Sequence, residues 1–315
     1  MDSNNNNAVN FKNENEIDLG EFFSVLWSGK WLIVSLTSLF SIAAIIYSLS
    51  LPNLYQSTAL LSSVESSSGN GLNQAMKSYS GLASLAGVNL PGNASGSNSV
   101  KAIQKLKTLS FFKKNILPNI YLPDLMAIES WDINTNTLIY NKKIFNNETQ
   151  TWVRDFQFPL TQTPSDQESH KAFMHHLSVT TDIDTGFISI SATHQSPFIA
   201  KIWTDLVIKQ LNDFFRVKDK IEAQAALDYL NLQISQTSFS EIKLVIAELM
   251  QQKMQQLTLI EANNFYVFEY IDPPEVMETK TSPARSQICI LWAFIGGVLS
   301  CLIVLIRFYI FNTKV

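Results

Sequence analysis

The sequence predicts an α+β fold in which two transmembrane helices flank a folded domain with a membrane-proximal mixed sheet and a long projecting helical arm. Three observations carry this. Trp31–Leu51 and Ile288–Ile306 contain no charged side chain, and each, at about 20 residues, is long enough for a helix to cross a hydrocarbon core of about 30 Å. The segment between them is large enough to bury a core of its own. Within it, Ser196-Pro197 opens a helical pattern that reaches Ala262 with no further Pro and no Gly. The expected division is a segment 1–30, a first span 31–51, a domain 52–287 with a long helix over about 197–262, a second span 288–306 and a tail 307–315.

Composition narrows the function classes. Charged residues make up 16% of the chain and the formal net charge is −4, which argues against a nucleic-acid partner. Cys289 and Cys301 both fall in the second span, leaving the domain without a disulfide or a thiolate metal site.

The flanking charges orient the spans. Lys30 abuts the first, Arg307 and Lys314 follow the second, and no basic residue follows the first span until Lys77. Basic flanks favour the cytoplasmic side, so both termini are expected inside and the domain outside; Lys280 and Arg285 oppose this. A cleaved signal peptide is the alternative for the first span. Its leader carries Glu14, Glu16, Asp18 and Glu21, unlike a basic n-region. A buried core helix is the alternative for the second span, against which stand its lack of charge and the closing Arg307.

Each element follows in order. Ile17-Asp18-Leu19 begins an amphipathic stretch with Phe22, Phe23, Leu26 and Trp27, which either lies along the membrane face or extends the span. Trp31 and Trp292 near the span ends suit the membrane interface, as they would also suit a buried helix. Tyr55–Val64 reads as a strand. Ser66–Ser99 is rich in Ser, Gly and Asn and reads as loop, with an apolar island at Gly81–Gly87 that packs either on a neighbouring subunit or on its own domain. Lys101–Ile116 has helical spacing and ends before Pro118. Asp124–Asn147 is expected to form short helices, and Thr151–Pro164, with Pro159 and Pro164, a loop. Leu177–Thr193 alternates and turns at Asp184-Thr185-Gly186, a hairpin signal.

An unbroken helix from Pro197 to Ala262 would reach about 100 Å, so it must project or fold back. Ser238-Phe239-Ser240-Glu241 matches a capping box, which places a turn or kink near Ser235–Ser240. Phe265–Ile271 alternates as a strand returning to the sheet. Pro273, Pro274 and Pro283 then exclude helix until the second span.

Catalytic material is sparse. No phosphate loop, nucleophile elbow, H-E-x-x-H or dinucleotide fingerprint is present. His170, His175 and His176 lie near Asp166 and Glu168, but at no metal-ligand spacing, and a solvated surface is expected. Asp182 and Asp184 suit a turn better than acid–base work. No catalytic residue, metal or cofactor is expected. The second span offers more. Ala293, Gly297 and Cys301 recur every four residues and Gly296 pairs with Ser300, a spacing that lets helices approach closely in lipid, although small residues are common in any span. With a long helix whose apolar stripe needs a partner, this suggests an oligomer.

Together these residues resemble the polysaccharide chain-length determinant (Wzz) family, the class 1 polysaccharide co-polymerases. The resemblance lies in Ile17-Asp18-Leu19 through Leu26-Trp27 to Lys30-Trp31, in the Gly81–Gly87 island, and in the run Pro273-Pro274 to Ser282-Pro283-Ala284-Arg285 before a small-residue span. It covers both ends and the layout; over Asp124–His194 only the layout is similar. Two features depart from the family: Ser300 and Cys301 stand where repeated glycines are common, and the basic pair after Ser-Pro is reduced to Ala284-Arg285. The resemblance implies two inner-membrane spans, a periplasmic α+β base, a helical arm and a ring-like homo-oligomer. It implies control of the chain length of lipopolysaccharide O-antigen or a related glycan, without catalysis, alongside a membrane glycan polymerase and nascent lipid-linked polysaccharide. The short tail after the second span is unlike the co-polymerase class that carries a cytoplasmic kinase. On this reading the interaction residues are Pro273, Pro274, Ser282, Pro283, Arg285, Ala293, Gly296, Gly297, Ser300 and Cys301. A periplasmic sensor or a structural tether for another membrane complex is the alternative.

Overall fold

A computed structural model describes residues 19–64 and 98–312. The expectations for Ile17-Asp18 and for the Gly81–Gly87 island lie outside the described residues. In chain order the elements are α1 (Leu19–Ser28), α2 (Lys30–Ser50), β1 (Tyr55–Ser63), α3 (Asn98–Leu106), α4 (Leu109–Phe111), α5 (Leu122–Met126), β2 (Ile128–Asp132), β3 (Thr137–Tyr140), β4 (Phe145–Asn146), β5 (Thr151–Trp152), α6 (Asp166–His176), β6 (Leu177–Thr181), β7 (Ile188–His194), α7 (Pro197–Gln236), α8 (Ser240–Ala262), β8 (Phe268–Asp272) and α9 (Arg285–Asn312). They form two compact units, one of residues 53–281 and one made by 1–52 together with 282–315.

The 53–281 unit is built on a four-stranded sheet in the order β6-β7-β1-β8. Its ladders are all antiparallel, which corrects the expected mixed sheet. Turn geometry accounts for half of this. Gly186 sits at φ 73° in a tight turn where the Asp182 carboxylate accepts from the Asp184 N–H at 2.9 Å, so β6 and β7 run antiparallel as a hairpin. β8 then returns on the free edge of β1.

β1 alternates strictly, with Tyr55, Ser57, Ala59, Leu61 and Ser63 on its buried face. That face packs on the first half of α7, whose Ala200, Trp203, Val207, Ile208, Leu211 and Phe215 are buried. Thr204 satisfies the polar groups between them. Its hydroxyl donates to Ala200 O at 2.9 Å and accepts from the Ala192 N–H at 3.1 Å. Ala102, Leu106, Phe111, Phe112, Ile116 and Phe173 complete the core from α3, α4, the turn that follows α4, and α6.

The helix expected over Lys101–Ile116 starts earlier and breaks at Thr108. Thr108 is extended (φ −85°, ψ 138°) and its hydroxyl accepts from the Phe111 N–H, starting α4, which continues as a π-helical turn over Phe112–Ile116. The expected short helices over Asp124–Asn147 give way to the β2–β3 and β4–β5 pairs after α5. Asn136 in the left-handed region closes the first pair. The Asp132, Asn141 and Asn146 side chains accept backbone N–H groups two residues on, making turns. Tyr121, Tyr140, Phe145 and Trp152 pack edge to face around the module. The Thr151–Pro164 loop is as expected apart from the short β5.

The long helical region is two helices. α7 ends at Gln236, Thr237 and Phe239 are extended, and α8 folds back along the second half of α7. Ala223, Leu227, Ile246 and Ile260 are the buried seam. Tyr266 OH donates to Asp219 Oδ2 at 2.6 Å, Arg216 Nη2 donates to the carbonyls of Asn263 and Asn264, and Lys220 pairs with Glu261. The break lies where Ser238 predicts it, but not by a capping box. Phe239 is the N-cap and makes no side-chain cap bond, so Ser240 opens the helix.

In the other unit, α2 and α9 are long and apolar enough to cross a membrane. They pack antiparallel: Gly29 lies against Val304 and Phe40 against Gly296. α9 begins at Arg285, earlier than the predicted span.

Candidate functional site

The seam between α2 and α9 is built from two matching four-residue stripes. On α2 it uses Phe40, Ala44 and Ser48; on α9 it uses Gly296, Ser300 and Val304. Ala44, Ser48, Ser300 and Val304 are buried. A Cβ at Gly296 would lie 2.8 Å from Phe40 Cβ, and one at Gly29 would lie 2.6 Å from Val304 Cγ1. These two glycines are what allow the helices to meet. Trp292 packs against both Phe40 and Tyr47, at 6.3 and 6.5 Å between ring centroids. The seam hydroxyls of Thr37 and Ser300 bond back to their own helices, to Ile33 O and Gly297 O, each at 2.7 Å.

The predicted α9 residues therefore fall into two stripes. Gly296 and Ser300 meet α2. Ala293, Gly297 and Cys301 are half-buried on the neighbouring stripe, and a Cβ at Gly297 would have nothing within 4 Å. Sequence reasoning missed the α2 half. The four-residue recurrence of Phe40, Ala44 and Ser48 was readable, but only Ala44 and Ser48 are small.

The proline-rich approach is divided between the units. Pro273 is exposed and Pro274 buried in the 53–281 unit. Pro274 precedes Glu275, whose carbonyl accepts from Ser57 Oγ at 2.7 Å. Ser282 and Pro283 are half-buried and joined by a cis peptide bond, and the Arg285 N–H donates to Pro283 O at 3.0 Å as α9 begins.

The histidine-bearing segment is a helix the sequence reading missed, although Ser165 and Glu168 spell a capping box there. Ser165 Oγ accepts from the Glu168 N–H and the Glu168 carboxylate accepts from the Ser165 N–H. Arg154 grips the same carboxylate with two hydrogen bonds of 2.7 and 3.0 Å and donates to the carbonyls of Thr161 and Gln162. That guanidinium holds the Glu168 carboxyl down to about 2. Asp166 is paired with Lys113 at 2.5 Å. No group of three metal-ligating side chains occurs among the described residues.

His194 is buried and His176 half-buried. His194 Nδ1 accepts from the Ser196 N–H at 2.9 Å, so its Nε2–H donates to Asp124 O at 3.0 Å, and its ring packs edge to face on Trp203. Burial lowers it to about 4. Burial also lowers His176, whose Nδ1 meets Thr193 O at 2.9 Å. Burial raises Asp124, which accepts from Tyr140 OH at 2.6 Å.

The fold and the seam define a class: a protein with two candidate membrane-spanning helices packed on each other and an α+β unit with a long helical hairpin inserted between them. Within that class, residues 15–115 match the chain length determinant protein family, Wzz. That stretch is thus similar to the family that the sequence resembles. No curated protein sequence matches it. Among solved structures, the chain is similar to a full-length bacterial polysaccharide co-polymerase (16% identity, 95% of this chain and 99% of that one, TM-score 0.39). It is also similar to a fragment of WzzB, a polysaccharide co-polymerase from Salmonella Typhimurium (14% identity, 73% and 100%, TM-score 0.28).

Proposed function

We propose that this protein is a non-enzymatic regulator of surface polysaccharide chain length, for lipopolysaccharide O-antigen or a related glycan. It acts as a ring-like homo-oligomer with a membrane glycan polymerase and its nascent lipid-linked chain. The single observation that carries this is the chain length determinant match over residues 15–115. The antiparallel pairing of α2 and α9 supports placing both termini on one side, which the flanking Lys30 and Arg307 make the cytoplasm of a bacterial inner membrane. The 53–281 unit is then periplasmic. The stripe Ala293, Gly297 and Cys301 is the surface left for a neighbouring span, and the α7–α8 hairpin, with Tyr229, Leu232 and Leu244 exposed, is the surface left for a neighbouring arm. Pro273, Pro274, Ser282, Pro283 and Arg285 set the connection between unit and span.

Deletion tests the function. The surface glycan should persist with an altered length distribution on a gel, restored by the gene in trans. An unchanged distribution would reject the proposal.

A further inference from the structure

We propose that the β2–β3 hairpin is a third membrane contact, with the turn at Ile133 resting in the lipid headgroup region. This rests on reading α2 and α9 as membrane spans.

Three observations carry it. First, both tethers of the 53–281 unit leave from one corner. The Thr281 N–H donates to Leu54 O at 2.8 Å, and Lys280 Nζ donates to Asn53 Oδ1 at 3.2 Å. Second, the hairpin sits on that corner, because the Trp131 ring packs edge to face on Tyr55 at 5.5 Å. At about 3.5 Å per residue, the stretch from Ser50 to Tyr55 spans at most about 18 Å of chain. α2, at 21 residues, matches the hydrocarbon thickness, so Ser50 lies near its edge.

Third, the turn is built to hold an apolar side chain outward. The Asp132 carboxylate accepts from the Asn134 N–H and from Thr135 Oγ1, both at 2.9 Å, and Trp131 Nε1–H donates to Asn136 Oδ1 at 3.0 Å. These bonds fix the loop while Ile133 stays 66% exposed. An isoleucine on a rigid tip beside the half-buried Trp131 suits the interface, where amphipathic rings concentrate. Glu129 and Asp132 on the same hairpin argue against attraction to anionic lipid, so apolar insertion drives the contact and added salt leaves it intact.

An equally apolar turn supplies the control. Ile183 is 96% exposed in the β6–β7 turn. That turn follows the Ile188–Leu61 pair, about 20 Å along β1 from Tyr55.

The test uses the full chain in liposomes. Single cysteines, Ile133→Cys, Ile183→Cys and Ile42→Cys, are made in a Cys289→Ala/Cys301→Ala background and labelled with an environment-sensitive fluorophore. Each is challenged with spin-labelled lipid and with aqueous iodide. Ile42, exposed on α2, reports the span. Loss of fluorescence to spin-labelled lipid at 133 and 42, with only iodide quenching at 183, supports the proposal. Iodide quenching at 133 with lipid quenching at 42 overturns it. So does a 133 label shielded from both quenchers, which would mark a protein contact. A 42 label that lipid does not quench removes the span reading itself.

Discussion

Gly296 lies with its Cα against the base of the Phe40 side chain, so that a Cβ there would come within 2.8 Å of Phe40 Cβ. The near atom is on the backbone side of Phe40 and cannot swing away, so the helices themselves must part. Gly296→Leu is expected to cost about 1–3 kcal/mol by overpacking and to lower the thermal midpoint of the detergent-solubilised protein. Gly297→Leu meets open space within the chain and should leave that midpoint unchanged. Any change in glycan length in the Gly297 variant would then come from a neighbouring chain. Equal loss of stability in both variants would contradict the seam.

Asn212 holds the edge of the sheet to α7. Its Oδ1 accepts from the Val267 and Phe268 N–H groups at 2.8 and 2.9 Å, and its Nδ2 donates to Phe268 O at 3.0 Å. The residue is buried, so truncation strands three backbone groups away from water. Asn212→Ala is expected to destabilise by about 3 kcal/mol. Hydrogen exchange at 266–272 should accelerate while exchange in β6 and β7 stays slow. Unchanged protection over 266–272 would show that other contacts hold β8.

Much of this was legible because it is local. The alternation of Tyr55–Ser63, the turn at Gly186, the start at Ser196-Pro197 and the return strand before Pro273 each follow from period or turn chemistry. The 124–152 module was not legible, because its strands are short and its stability comes from rings brought together across the chain, Tyr121 with Phe145 and Phe145 with Trp152. Nor could the sequence choose between Gly296 and Gly297. Adjacent positions on a helix point about 100° apart, and only the position of Phe40 decides which one is covered. The capping box at Ser165–Glu168 was readable and overlooked, whereas the one read at Ser238 did not form.

Acid should weaken the 53–281 unit through His194. Its folded value is lowered to about 4 from an ordinary 6.5, because burial disfavours the charged ring. The unfolded chain therefore binds more protons between those values, and stability rises with pH across that window. The contribution is fully present above 6.5 and is lost as pH falls toward 4, in total about 3 kcal/mol. His176, also lowered by burial, acts in the same direction; Asp124, raised by burial from 3.8, acts oppositely from 3.8 upward, within the same range. His194→Gln can keep the donation to Asp124 O but gives up the acceptor for the Ser196 N–H. It should be less stable at neutral pH and show a flatter profile between pH 4 and 6.5. A slope in that variant as steep as in the parent would place the titration elsewhere.

The α7–α8 hairpin presents a sharper separation of fold from assembly. Its own seam is narrow, Ala223 and Leu227 against Ile246 and Ile260, while Leu244 is 72% exposed and Tyr229 61% exposed on its outer faces. A side chain that is exposed in the chain contributes little to the chain's own stability, so Leu244→Asp should shift the single-chain melting free energy by no more than about 0.5 kcal/mol. In the proposed oligomer the same side chain would be buried once per subunit contact, at about 1–3 kcal/mol each, and a buried aspartate without a partner adds to the loss. The variant should therefore keep its hydrogen-exchange pattern and lose its native oligomer mass in detergent, with a shifted glycan length distribution in cells. An unchanged oligomer mass would show that the outer face of the hairpin does not assemble, and would leave the α9 stripe at Ala293, Gly297 and Cys301 as the surface to test for self-association.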